Sequence, residues 1–148
     1  MISIDLFGAP IAAKRPKFTM RGKFPHAFDA QKKLKETYRW QIRSQYLEEP
    51  LKMPVYVDVV FYMPIAQSLS GIKKRQMANG VIAHTTKPDV DNLLKLVLDC
   101  LNDLVIEDDS QIVELRGKKI YSNKPGTLIR IIPLADEKRE LLYENISR

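Results

Sequence analysis

The 148-residue sequence predicts an α+β domain. Ile2, Ile4 and Leu6 alternate with Ser3, Asp5 and Phe7, and Val55, Val57, Val59, Phe61 and Met63 alternate with Tyr56, Asp58, Val60 and Tyr62, which is the two-residue period of strands. Leu34, Tyr38, Ile42 and Tyr46 recur every four residues, and Leu93, Val97, Cys100, Leu101 and Leu104 line the buried side of a second helix. The two kinds of element do not alternate as regular β-α-β units. That leaves a small mixed sheet of about four strands packed with two main helices.

The first strand stops at Gly8 and Pro10. Residues 11–27 read as a basic loop punctuated by Pro16, Gly22 and Pro25, with Phe18 and Phe24 interleaved. Asp29 is placed to cap a helix running to about Leu47. The strand from Pro54 to Pro64 follows, then a short helix over Ser68–Ala78 ended by Gly80, then a helix from Asn92 to Leu104. Strands over Gln111–Tyr121 and Thr127–Leu134 flank a turn of Asn123, Pro125 and Gly126, and a short helix is expected from Asp136. Trp40 and Cys100 read as core; Asp99 and Asp103 read as solvated helix positions.

A chain of this length, at 45% hydrophobic residues, buries a core, forms one domain over residues 1–148 and is not intrinsically disordered. No stretch approaches about 18 consecutive apolar residues, so no span of a membrane is expected. Met1–Pro10 carries Asp5 and no basic residue, unlike the start of a secretory signal. Cys100 is the only cysteine, which excludes an internal disulfide and a cysteine-based zinc cluster and points to a reducing cytoplasm.

Charge is unevenly spread within a net +6. From Lys14 to Arg43, ten basic residues face only Asp29 and Glu36, whereas from Asp89 to Asp109 seven acids face Lys95 alone. A positive region beside a negative one suits a polyanion held next to a cation site. Lys14, Arg15, Lys17, Arg21 and Lys23 are candidate phosphate contacts, since a basic loop can follow a DNA backbone whatever its sequence. Lys32, Lys35, Arg39 and Arg43 form a further basic stripe at helical spacing, and His84 reads as a loop histidine.

The informative segment is Lys87-Pro88-Asp89-Val90-Asp91-Asn92-Leu93-Leu94-Lys95. Pro88 biases Lys87 toward extended geometry, in which residues two apart share a face, so Asp89 and Asp91 are expected to project together. Asp91 or Asn92 then caps the helix, and Lys95 lies one turn on from Asp91. Asp108 and Asp109, after the helix, are expected to fold back toward the pair. Clustered carboxylates repel by on the order of 4 kcal/mol at 4 Å and an effective dielectric of 20, a cost that a divalent cation removes. All-oxygen ligands favour magnesium or manganese over zinc. A lysine beside them adds positive charge where a phosphoryl transition state gathers negative charge. The D-x-D pair alone also fits capping and solvation. An EF-hand loop, a Walker loop and a G-x-S-x-G elbow are absent.

Pro88-Asp89-Val90-Asp91-Asn92-Leu93, Lys95, and Asp108-Asp109-Ser110-Gln111-Ile112-Val113, together with the Lys14-Arg15-Pro16 loop, resemble the RusA family of Holliday junction resolvases. The resemblance implies a RusA-like fold and a small, often phage- or prophage-encoded, magnesium-dependent endonuclease that cuts four-way DNA junctions as a homodimer, with manganese able to substitute. It implies Asp89, Asp91 and Asp109 as metal-binding acids, Lys95 as the catalytic lysine, and Asp108 as a less essential neighbour. Lys73-Lys74-Arg75, in a segment where the chain departs from the shortest members, and Lys87 join the candidate DNA contacts. Two other classes remain: a non-catalytic DNA-binding recombination accessory protein, and another metal-dependent phosphoesterase.

Overall fold

The computed structural model describes residues 1–15, 17–21 and 23–134, with the backbone alone for 17–21 and 24–28. Along the chain run β1 (Ile2–Phe7), β2 (Lys17–Arg21), β3 (Phe24–Phe28), α1 (Lys32–Gln45), β4 (Val55–Pro64), α2 (Gly71–Ala78), α3 (Val90–Leu101), a 3₁₀ turn (Asp109–Gln111), β5 (Ile112–Ser122) and β6 (Gly126–Pro133). The main sheet has four strands in the order β1-β6-β4-β5. β6 is antiparallel to both β1 and β4, and β5 is parallel to β4. β1, β4 and β5 therefore run the same way and end at the same margin of the sheet. The α+β class and the four mixed strands match the sequence reading; the described helices number three.

One face of the sheet carries the core. Ile4, Ile129 and Val59 lie side by side across three strands, with Gly117 next in β5. Tyr38 and Ile42 of α1, and Leu93, Leu96, Val97 and Cys100 of α3, close over this face. At the free edge of β1, Gln45 Oε1 accepts from Asp5 N–H at 2.9 Å while its Nε2 donates to the Asp5 carbonyl at 2.7 Å. Gln41 Oε1 accepts from Phe7 N–H at 2.8 Å. The helix thus satisfies edge groups that would otherwise invite another strand.

Several expectations are corrected. The segment read as a basic loop contains an antiparallel hairpin, Thr19 opposite His26. Its Pro25 is compatible because a two-stranded ribbon is all edge. Trp40 is 73% exposed rather than core. Two residues from both Tyr38 and Ile42, it is turned some 200° around the helix from them. The helix from Lys32 is capped at Gln31, not Asp29, and α3 begins at Val90. α3 stops at Leu101, short of Leu104, where Asp103 takes a left-handed φ of 62° and Arg39 Nη1 donates to the Asn102 carbonyl at 2.7 Å. Asp99, instead of standing free in solvent, pairs with Lys35 at 3.3 Å. Half of the predicted basic stripe thus binds α1 to α3. The helix expected from Asp136 lies outside the described residues, as do the side chains of Phe18 and Phe24.

Candidate functional site

The D-x-D pair sits where α3 begins. Asp89 is the N-cap, with extended backbone (φ −74°, ψ 144°), and its carboxylate makes no capping hydrogen bond. Asp91 occupies the first turn, not a shared extended stretch with Asp89, and Lys95 follows one turn on. All three are exposed. Among the described residues none of them is engaged in an ion pair. Two carboxylates at a helix N-terminus are favoured by the local positive potential, and both remain available to a ligand.

Three long-range contacts hold this helix start. Lys119 of β5, on the sheet face covered by α3, donates through Nζ to the Pro88 carbonyl at 2.7 Å and to the Thr86 carbonyl at 2.5 Å. Ala13 N–H donates to the Asn92 carbonyl at 2.8 Å, which places the exposed Lys14 and Arg15 beside the acids. Gln31, 7% exposed, clamps the same loop: Oε1 accepts from Lys14 N–H at 2.7 Å, and Nε2 donates to the Ala12 carbonyl at 2.9 Å. Gln31 N–H in turn donates to Asp29 Oδ1 at 2.9 Å, and Lys35 joins Asp29 to Asp99. The Gln31 N–H and Lys35 hold the Asp29 carboxyl below its usual range. Burial pulls the Lys35 ammonium down, but its two carboxylate partners outweigh that and raise it. Sequence reasoning missed Gln31 and Lys119. Lys119 carried one legible sign: by the two-residue period it falls on the same side of its strand as Leu115 and Gly117.

Asp108 and Asp109 are placed elsewhere. Asp108 caps the 3₁₀ turn, its Oδ2 accepting from Ser110 N–H at 3.0 Å, and the Ser110 groups hold its carboxyl below the usual value. Gln111 completes a capping box by accepting from Asp108 N–H at 2.9 Å, and its Nε2 ties the turn to the Leu51 and Met53 carbonyls at 2.8 and 3.0 Å. Asp109 is exposed. Within one chain these acids do not fold back on the D-x-D pair: among the described residues no group of three or more His, Cys, Asp and Glu is arranged to hold a metal. The reason is the direction of the elements. Leu94 lies over Gly117 and Pro88 beside Lys119, so α3 runs antiparallel to β5. Asp109, just before β5, stands at the far margin of the sheet, roughly 20 Å away at ~3.3 Å per strand residue.

Of the other candidate DNA contacts, Lys23, Lys73, Arg75 and Lys87 are exposed, and Lys74 Nζ lies 3.5 Å from Gln67 Oε1. Lys17 and Arg21 belong to the hairpin, whose side chains are not described. Cys100 is fully buried, which pushes its thiol up to about 11 and removes it from any ligand set.

Residues 8–132 match the family model described as endodeoxyribonuclease RusA, a range that includes Asp89, Asp91, Lys95 and Asp109. The chain belongs to the RusA endodeoxyribonuclease family. Among curated proteins, it is 38% identical over 134 residues to the uncharacterized protein YqaN of Bacillus subtilis (strain 168), an alignment covering 88% of this chain and 94% of YqaN. As a RusA-family fold, it presents the D-x-D pair and the basic Lys14-Arg15 loop at the sheet margin where β1, β4 and β5 end. Among the described residues no helix is long and apolar enough to cross a membrane.

Proposed function

We propose that this RusA-family chain is a magnesium-dependent endonuclease that resolves four-way DNA junctions as a homodimer, manganese being able to replace magnesium. The observation that carries the reading is the pair of uncommitted carboxylates, Asp89 and Asp91, bonded through Asn92 and Ala13 to the Lys14-Arg15 loop. The donor set fits a hard cation: carboxylate oxygens, exposed, with no thiol in reach. Asp89 and Asp91 would hold the ion, which when bound neutralises phosphate charge and lowers the pKa of water. Lys95, one turn beyond Asp91, stabilises the charge that gathers on the phosphoryl oxygens. Lys14 and Arg15 fix the strand by its phosphates. Lys23, Lys87 and, on α2, Lys73, Lys74 and Arg75 extend the same contact.

Asp109 enters this reading through the dimer. A four-way junction has approximate two-fold symmetry, and a closed two-fold pair of chains presents two equivalent sites to opposed strands. A pairing that sets Asp109 of one copy at the D-x-D pair of the other would supply a third carboxylate.

Asp91→Asn is expected to bind a four-way junction like the wild type and to lose cleavage in magnesium by at least ~10²-fold. Undiminished cutting by that variant refutes the metal assignment, and a wild type that binds but never cuts favours the accessory-protein reading. Co-expressed Asp91→Asn and Asp109→Asn chains test the shared site. Their mixed dimers recover one intact site if Asp109 acts across the pair, and none if it acts within its own chain.

A further inference from the structure

Beside the D-x-D pair, where β1, β4 and β5 end, lies a cavity of about 340 Å³. Met63 and Ala66 from the end of β4, Met77 of α2, Tyr121 of β5, and His84 and Lys87 from the loop leading to Asp89 form its wall. It is at the small end of ligand pockets, which span ~300–1,000 Å³, and so suits one flat group. The lining is apolar and aromatic: the His84 and Tyr121 rings are 4.6 Å apart at 46°. Among the described residues no acidic side chain lines it, and Lys87 brings a positive charge to it. Among the described residues, the buried His84 Nδ1 has no hydrogen-bond partner. Burial and the nearby Lys119 hold the imidazole below its usual pKa, so near neutral pH the ring is uncharged.

We propose that this cavity receives one unstacked nucleobase from the DNA strand whose phosphate lies at Asp89 and Asp91, stacked against His84 and Tyr121. The inference rests on the endonuclease reading above and adds to it the subsite that fixes the cut position. Three features favour a base over other ligands. Stacking on aromatic walls tolerates any base because every base has a π-face. Base pairs next to a branch point that a protein holds open lack a stacking partner on one side, which lowers the cost of extrusion. Pro88, another wall residue, is bonded directly to Asp89, and Lys119 grips both the Thr86 and Pro88 carbonyls. Filling the cavity therefore sets the distance between the base and the acids.

The test uses the full chain and four-way junctions. Single abasic sites are walked through the nucleotides flanking the cut. At one position, loss of the base is expected to lower wild-type kcat/KM by roughly 5- to 150-fold, the range for one stacked base. Ala66→Trp, which fills the cavity, is expected to lower cleavage of the intact junction comparably and to show no further loss with the abasic site at that position. A flat abasic profile overturns the proposal without using any variant. So does a folded Ala66→Trp protein that cuts the intact junction at the wild-type rate. Binding in calcium gives an independent reading: 2-aminopurine at the same position brightens with wild type and not with Ala66→Trp. Should the wild type fail to cut any junction, the endonuclease reading falls. The fluorescence result then decides the cavity alone, with brightening blocked by Ala66→Trp supporting it and unblocked or absent brightening overturning it.

Discussion

Gly117→Ala probes the contact that seats α3, the helix carrying Asp91 and Lys95, on the sheet. A Cβ at this position would lie 2.7 Å from Leu94 Cδ1 and 3.0 Å from both Leu94 Cδ2 and Cγ. Rotation about χ2 swings the methyl carbons and leaves Cγ in place, so relief needs a change of the Leu94 χ1 rotamer or a shift of α3. Overpacking of this kind costs about 1–3 kcal/mol. Replacing a strand glycine with alanine returns about 0.5–1 kcal/mol of backbone entropy, so a net loss of about 1 kcal/mol, and at most about 2.5, is expected. At ~2–4 °C per kcal/mol for a domain of this size, the melting temperature should fall by about 2–4 °C, and at most about 10 °C. The assay is urea unfolding of a double-mutant cycle, with midpoints compared at constant slope. With Leu94→Ala in place the obstruction is gone, and Gly117→Ala is expected to change sign and stabilise. Equal destabilisation in both backgrounds would refute the steric account. Cleavage should fall in the single variant as well, since α3 carries Asp91 and Lys95.

Gln31→Ala removes both side-chain bonds to the Lys14 loop and leaves two backbone groups to find new partners. A stability loss of about 1–3 kcal/mol is expected, with weaker junction binding measured at fixed salt. Gln111→Ala unties the 3₁₀ turn from the Leu51 and Met53 carbonyls at a cost of about 1–3 kcal/mol. On the dimer reading it lowers cleavage more than binding, because Asp109 is displaced while the basic loop is untouched. Lys35 has a raised folded pKa, so its stabilising effect is complete below the usual lysine value of about 10.4. That effect is lost as pH rises through the folded value. Melting curves from pH 8 to 12 should show this alkaline component in the wild type and not in Lys35→Met.

The amino-acid pattern alone established the elements that have a strict local period. The alternation of Val55 to Met63 made β4, and the four-residue spacing of Tyr38 and Ile42 set the inward side of α1. Asp89, Asp91 and Lys95 were legible as a set because a helix start and one helical turn bring them close whatever the rest of the chain does. The hairpin over 17–28 was obscured by Pro16, Gly22 and Pro25, which punctuate a loop and a short two-stranded ribbon equally well. Trp40 was misread because residue type was weighed above helical phase. What tertiary structure decided was direction and distance. Whether Asp109 meets the D-x-D pair depends on α3 lying antiparallel to β5, a relation between segments that no local period encodes. The grip of Gln31 and Lys119 on backbone carbonyls, and the cavity where three strands end, likewise exist only once the sheet order β1-β6-β4-β5 has brought distant residues together.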